Sequence, residues 1–387
     1  MEMKDFFLAC VSAGLAGRQT DVPEDCDWDA LFRISQEQKL TAVVYSALAK
    51  TGQTPPVWRS AAMRDVVYQA QAGAEFLRLY RALSERGLHP LVVKGILCRE
   101  TYPEPDARIS SDEDLYVPLA EYDRFHQIMK ELGFKTEEPD MENAHELRYF
   151  RNGLMIEGHW ELFPQDNSAL NALNALSEGF WARTVTREVS GVPMRVLEPT
   201  DHMTFLLLHL FKHFINSGAG VRQICDVAQW AKANPIEWPR VLEAMQAAHA
   251  ALFAGAVFDA GERFFGMPYP TGWPRADCEA LLSDALDGGV YGSATMSRKH
   301  SGSMTLAAVE DTAHANGFRP LLRTLFPNRA VMETSYPWVK KSAALMPAAW
   351  TLRIVRYLRS RGEDNAASES LKIGTERLEL LKHYQIL

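Results

Sequence analysis

Asn152-Gly153 stands between two short runs of strand character, His145–Phe150 and Leu154–Leu162. An Asn-Gly pair accepts the two positive φ angles of a type I′ turn, whose twist matches that of two antiparallel strands. The spacing therefore predicts a hairpin, and a hairpin is stable only with one face packed on further structure. A second hairpin-like run spans Val185–Val196 around Ser190-Gly191. Leu91-Val92-Val93 follows Gly87 and Pro90, and Asp114–Val117 is closed by Pro118, so both read as further short strands. Over residues 119–132, Phe125, Ile128, Met129 and Leu132 recur at helical spacing, with Gly133 as the stop.

On either side of this zone the period is helical. Leu31, Ile34, Leu40, Val43, Val44 and Leu48 recur three and four apart, punctuated by Pro23 and Pro55-Pro56, and Asp27 is placed to cap the helix of Trp28, Leu31 and Phe32. Beyond residue 199, Thr200 or Asp201 is placed to cap a helix carrying Phe205, Leu206, Leu208, Leu210 and Phe211. Further helices are expected over 221–233, 238–265, 275–286, 304–325, 336–361 and 366–385. The expected fold is α/β (α+β) with large helical additions. It divides into a helical N-terminal region 1–85, a small mixed-sheet core 86–199 and a helical C-terminal domain 200–387.

Composition narrows what such a chain does. Lys+Arg 41 against Asp+Glu 49 gives a net charge of −8, which argues against bulk nucleic-acid binding, because non-specific phosphate contact needs surplus cations. Cys10, Cys26, Cys98, Cys225 and Cys278 are odd in number and none makes a C-x-x-C pair. A disulfide framework or four-cysteine zinc site is not expected, and a reducing cytoplasm is. No apolar stretch reaches the roughly 18 residues of a membrane span. Phe6–Cys10 is short and follows Glu2 and Asp5, so it reads as an amphipathic first helix and not as a secretion signal.

The chemistry concentrates in Arg108-Ile-Ser-Ser-Asp-Glu-Asp-Leu-Tyr-Val117. Asp112 and Asp114, two apart at a strand start, share one face, with Glu113 turned to the other. Two adjacent carboxylates repel unless a cation joins them, and hard divalent ions bind through such pairs together with substrate phosphates. Glu157 is mid-strand among apolar flanks, a costly place for an unpaired carboxylate and a sensible one for a third metal ligand. Lys94-Gly95 follows a strand and opens a helix, where glycine permits close backbone approach to a phosphate and lysine adds charge. Taken singly, each of these is a common surface feature.

In combination they resemble the nucleotidyltransferases of the DNA polymerase beta superfamily, and most closely an uncharacterised bacterial family within it. The resemblance rests on Lys94-Gly95, Tyr102-Pro103, Arg108, Ser111-Asp112-Glu113-Asp114-Leu115-Tyr116-Val117 and Glu157-Gly158-His159-Trp160. Leu208-His209, Lys212-His213, Arg222 and Asp226 follow, so that it spans about residues 90–230. Gly95 lies further from Asp112 than in many relatives, no serine follows it, and Gly158 stands where the family usually has an apolar residue. The resemblance implies that Asp112, Asp114 and Glu157 are catalytic and hold Mg²⁺ (or Mn²⁺), with Glu157 also helping to deprotonate the attacking oxygen. It implies that Lys94, Gly95, Arg108 and Ser111 contact the triphosphate of an NTP, with ATP favoured. His209, Lys212 and His213 would form a cationic face towards the nucleotide, across a cleft between sheet and helix. The product is then a nucleotidylated acceptor of unspecified class.

Other constellations have plainer readings. His209 and His213, four apart on one helix face, lack the glutamate of the metalloprotease pattern, Leu210 taking its place, so packing or nucleotide contact is expected over zinc. Asp226 is placed to pair with Arg222 on the same helix. Arg353, Arg356, Arg359 and Arg361 read as a solvated stripe, and Arg298, Lys299 and His300 as part of a Gly/Ser-rich linker. The competing functions are a non-catalytic nucleotide-binding regulatory module and a toxin–antitoxin-type interaction protein.

Overall fold

The computed structural model describes residues 2–136, 144–165, 167–290, 298, 301–302, 304–306, 308–309, 332, 336, 338–339, 342, 345–359 and 366–387. Four helices lead: α1 (Met3–Leu15), α2 (Trp28–Glu37), α3 (Thr41–Leu48) and the long α4 (Pro56–Glu85). Asp27 caps α2 as expected, its carboxylate accepting from Ala30 N–H at 3.0 Å. Then come β1 (Leu91–Val92), α5 (Ile96–Arg99), β2 (Glu113–Tyr116), α6 (Leu119–Glu131), β3 (Lys135–Thr136), β4 (Glu146–Arg151), β5 (Leu154–His159), α7 (Ser168–Ser177), β6 (Thr184–Val189) and β7 (Val192–Leu197). The helices α8 (Pro199–Ile215), α9 (Val221–Ala233), α10 (Trp238–Ala247), α11 (Ala251–Phe265) and α12 (Glu279–Gly288) follow, with Met346–Arg359 and Ala366–His383 also helical.

The fold is α/β, with seven strands in one mixed sheet, ordered β3-β4-β5-β2-β1-β7-β6. Both expected hairpins form, with φ of 50° and 81° at Asn152 and Gly153, and 48° and 73° at Ser190 and Gly191. These pairs of positive angles are what the two-residue turn requires. Between the hairpins the sheet is closed by parallel contacts, β2 with β5 and β1 with β7, while β1 and β2 run antiparallel.

Several local expectations change. The cap of α8 is Glu198, which accepts from Thr200 and Asp201 N–H at 3.1 Å each and leaves Pro199 at the first helical position, where no N–H is needed. The single helix expected over 238–265 is two, because His249 turns left-handed at φ 53° between α10 and α11. Asp112 precedes β2 and does not lie on it. Arg298 is buried and paired with Asp284 at 2.5 Å, not exposed on a linker. Lys299, His300 and Arg361, and the side chains of Arg353, Arg356 and Arg359, lie outside the described residues, as does most of the helix expected over 304–325.

The main apolar core runs from Phe6 in α1 to Ile386 near the C-terminus, and Met332, Val339, Met346 and Ala349 form a separate small cluster. Among the described residues no helix is long and apolar enough to cross a membrane, and the five cysteines are all free.

Candidate functional site

Three neighbouring strands build one polar face. In the β2–β5 pair Asp114 lies opposite Glu157, and in the β4–β5 pair Arg148 lies opposite Glu157 and Glu146 opposite His159. Register partners point to the same side, so Asp114, Glu146, Arg148, Glu157 and His159 share it. The other side carries Leu115, Leu147, Tyr149 and Ile156, all buried. There α6 packs so closely that a Cβ on Gly158 would lie 2.7 Å from the Phe125 ring. That contact accounts for a glycine where a larger apolar residue was expected.

Asp114 directly opposite Glu157 is a like-charge pair, which a sheet tolerates only with compensation. Lys94 supplies part of it from the end of β1. Its Nζ is 3.1 Å from Asp114 Oδ1 and 3.5 Å from Asp112 Oδ2, so the two aspartates face one cation. Lys94 also donates to His209 Nε2 of α8 at 3.3 Å, and His213 Nε2 lies 3.3 Å from that same atom. His159 Nε2 donates to Asp114 Oδ1 at 3.2 Å. Arg148 Nε donates to Glu157 Oε1 at 3.0 Å.

These surroundings separate the acids. Burial pushes the Asp112 carboxyl up, but the charges of Lys94, Arg222, Arg108 and Lys39 prevail and hold it at about 2. Burial and then the like charges of Asp114, Asp112 and Glu146 push Glu157 up to about 7. Burial followed by neighbouring cations keeps His209 and His213 well below the usual imidazole range, hence neutral. Lys212 is lowered by burial and by Lys94.

The residues present suit a divalent cation. Asp114 Oδ2 is buried with no hydrogen-bond partner among the described residues, and a carboxylate oxygen left so is costly unless a cation meets it. Asp114, Glu157 and His159 offer ligand atoms within 4.8 Å of one another. His209 and His213 fall in no such group among the described residues.

One of the expected phosphate contacts, Arg108, and the amide that follows another, Gly95, are engaged inside the protein. Arg108, 2% exposed, makes a bidentate pair with Asp226 of α9 at 2.7 and 3.0 Å. Asp226 also accepts from Tyr102 at 2.8 Å, while Arg222, its expected partner, lies at 3.6 Å. Gly95 has φ +60°, and Glu113, turned to the far side as expected, accepts Ile96 N–H at 2.8 Å and pairs with Arg99. The amide at the start of α5 is thus directed to Glu113.

Three polar neighbours of this face were not foreseen. Glu146 and Arg148 were legible, because the two-residue Asn-Gly turn fixes the register that places them opposite His159 and Glu157. Lys39 was not. It follows α2 at φ 52°, and its ammonium donates to Ser111 Oγ beside Asp112, a contact across 72 residues that no local pattern announces.

The family model described as an uncharacterised nucleotidyltransferase matches residues 24–266. No curated protein and no solved structure matches the chain.

Proposed function

The chain belongs to this nucleotidyltransferase family, and from that membership we propose that it moves a nucleoside monophosphate, AMP from ATP in the first instance, to an acceptor. The observation that carries the reading is the placement of Asp114 opposite Glu157, with Asp112 held to Asp114 through Lys94. Asp112, Asp114 and Glu157 would hold Mg²⁺, or Mn²⁺, which when bound polarises the α-phosphate and stabilises charge on the entering and leaving oxygens.

The protein's own groups have separate tasks. Lys94 balances Asp112 and Asp114 before substrate arrives and stands ready to neutralise the departing pyrophosphate. Lys39 and Ser111 on one side, and Lys212 and His213 of α8 on the other, receive the triphosphate. His209 orients Lys94 through its Nε2. Arg108, locked to Asp226, holds the loop that leads into Asp112. Glu157 takes the proton of the attacking hydroxyl. The new P–O bond to the acceptor forms as the α–β phosphoanhydride breaks.

The test incubates the full chain with each α-labelled NTP and Mg²⁺ or Mn²⁺, followed by label transfer and intact mass. Transfer with pyrophosphate release is expected, reduced by about 100-fold or more in Asp112→Asn/Asp114→Asn. Undiminished transfer in that variant would overturn the site. Nucleotide binding without pyrophosphate release from any donor would favour the non-catalytic module.

A further inference from the structure

Beside the carboxylates lies a second constellation with different donors. His145 Nε2 and His159 Nδ1 each lie 3.3 Å from the same atom, Glu146 Oε2. Both nitrogens are buried, and neither has a hydrogen-bond partner among the described residues. An ordinary His–Glu pair would align an N–H with the carboxylate, but here two imidazole nitrogens converge on one oxygen without that alignment. His159 is only 5% exposed, so the unpartnered nitrogen is well shielded from water. His145, Glu146 and His159 each offer a ligand atom within 4.8 Å of the others'.

We propose that His145, Glu146 and His159 bind a borderline transition-metal ion of the Zn²⁺ class, at a site distinct from Asp112, Asp114 and Glu157. The spacing fits: ligands about 2.1 Å from a tetrahedral ion lie about 3.4 Å apart. The chemistry fits too, since two imidazoles and one carboxylate select Zn²⁺-like ions over Mg²⁺, which prefers oxygen. The outer contacts are those of a metal-ligating histidine. With Nδ1 on the ion, the other ring nitrogen of His159 donates to Asp114 Oδ1 at 3.2 Å, fixing tautomer and ring orientation. Glu146 Oε1 accepts from Arg148 at 3.1 Å. The His145 and Glu146 side chains keep 18% and 14% exposure, enough for an ion to enter and for water to complete its shell. The ion would thereby brace the hydrogen bond that positions Asp114.

The test titrates chelator-treated full-length protein with Co²⁺, read by its tetrahedral d–d absorption, and with Zn²⁺ by calorimetry. Stoichiometric binding is expected. His145→Ala and Glu146→Gln should each weaken it at least about tenfold, with circular dichroism confirming that the variants are folded, while Asp112→Asn leaves it intact. No binding, binding indifferent to both variants, or binding lost in Asp112→Asn but kept in His145→Ala would overturn the site. This outcome is separable from the nucleotidyl-transfer reading. Co²⁺ bands that depend on His145 stand even if no NTP is a donor, and transfer without such bands removes this site alone.

Discussion

At Gly95 an added Cβ would lie 2.0 Å from Glu113 Oε2, and φ is +60°. Alanine there would meet both the left-handed backbone cost and a displaced Glu113, whose carboxylate accepts Ile96 N–H and pairs with buried Arg99. Gly95→Ala is therefore expected to destabilise the fold by roughly 2–4 kcal/mol, read by urea unfolding. A loss below about 0.5 kcal/mol would show that the turn relaxes freely. Asp112, Asp114 and Glu157 were legible as residue types at meaningful spacing. That Lys94 bridges Asp112 and Asp114 was not, because a lysine at a turn carries no mark of where its ammonium ends.

Helix α8 joins stability to the polar face. His202 near its start is fully buried and stacked on Trp230 of α9, ring centroids 3.9 Å apart. Neither ring nitrogen has a hydrogen-bond partner among the described residues. Burial, and then the charge of Arg187, lower its pKa from 6.5 to about 3. The folded state thus keeps His202 neutral while the unfolded chain protonates it below about pH 6.5. Stability from this group is full above that pH and falls progressively as pH drops towards 3. Between pH 7 and pH 5 the loss is about 2 kcal/mol. His202→Phe, which keeps the stack on Trp230 and removes the titrating nitrogens, should lose about 2 kcal/mol less than the parent over that interval in urea unfolding. Equal losses in the two proteins would refute the assignment. Helix boundaries were less legible than helix existence: the break at His249 between α10 and α11 has no proline or glycine to announce it.

Across the whole molecule, the polar face is assembled from regions distant in sequence. Lys39 comes from the turn between α2 and α3, Lys94 from the end of β1, Asp226 and Arg222 from α9, and His209, Lys212 and His213 from α8. If Lys39 and Ser111 receive the triphosphate, Lys39→Met should weaken binding of Mg²⁺-ATP roughly tenfold without unfolding the protein, since it removes one charge-assisted contact. Calorimetric titration with unchanged affinity would confine Lys39 to a structural role.

Local chemistry was sufficient to specify the hairpins, the helix around Phe125 and the strand positions of Asp114 and Glu157, though not that of Asp112. Asn-Gly turns, apolar period and side-chain alternation act within a few residues, so their signals are written contiguously. Long-range geometry settled the rest. The direction of Arg108 to Asp226, the occupation of the α5 amide by Glu113 and the reach of Lys39 all join separated segments. Such contacts exist only once a shared core holds those segments together, because each ion pair alone is too weak to order the chain between its partners.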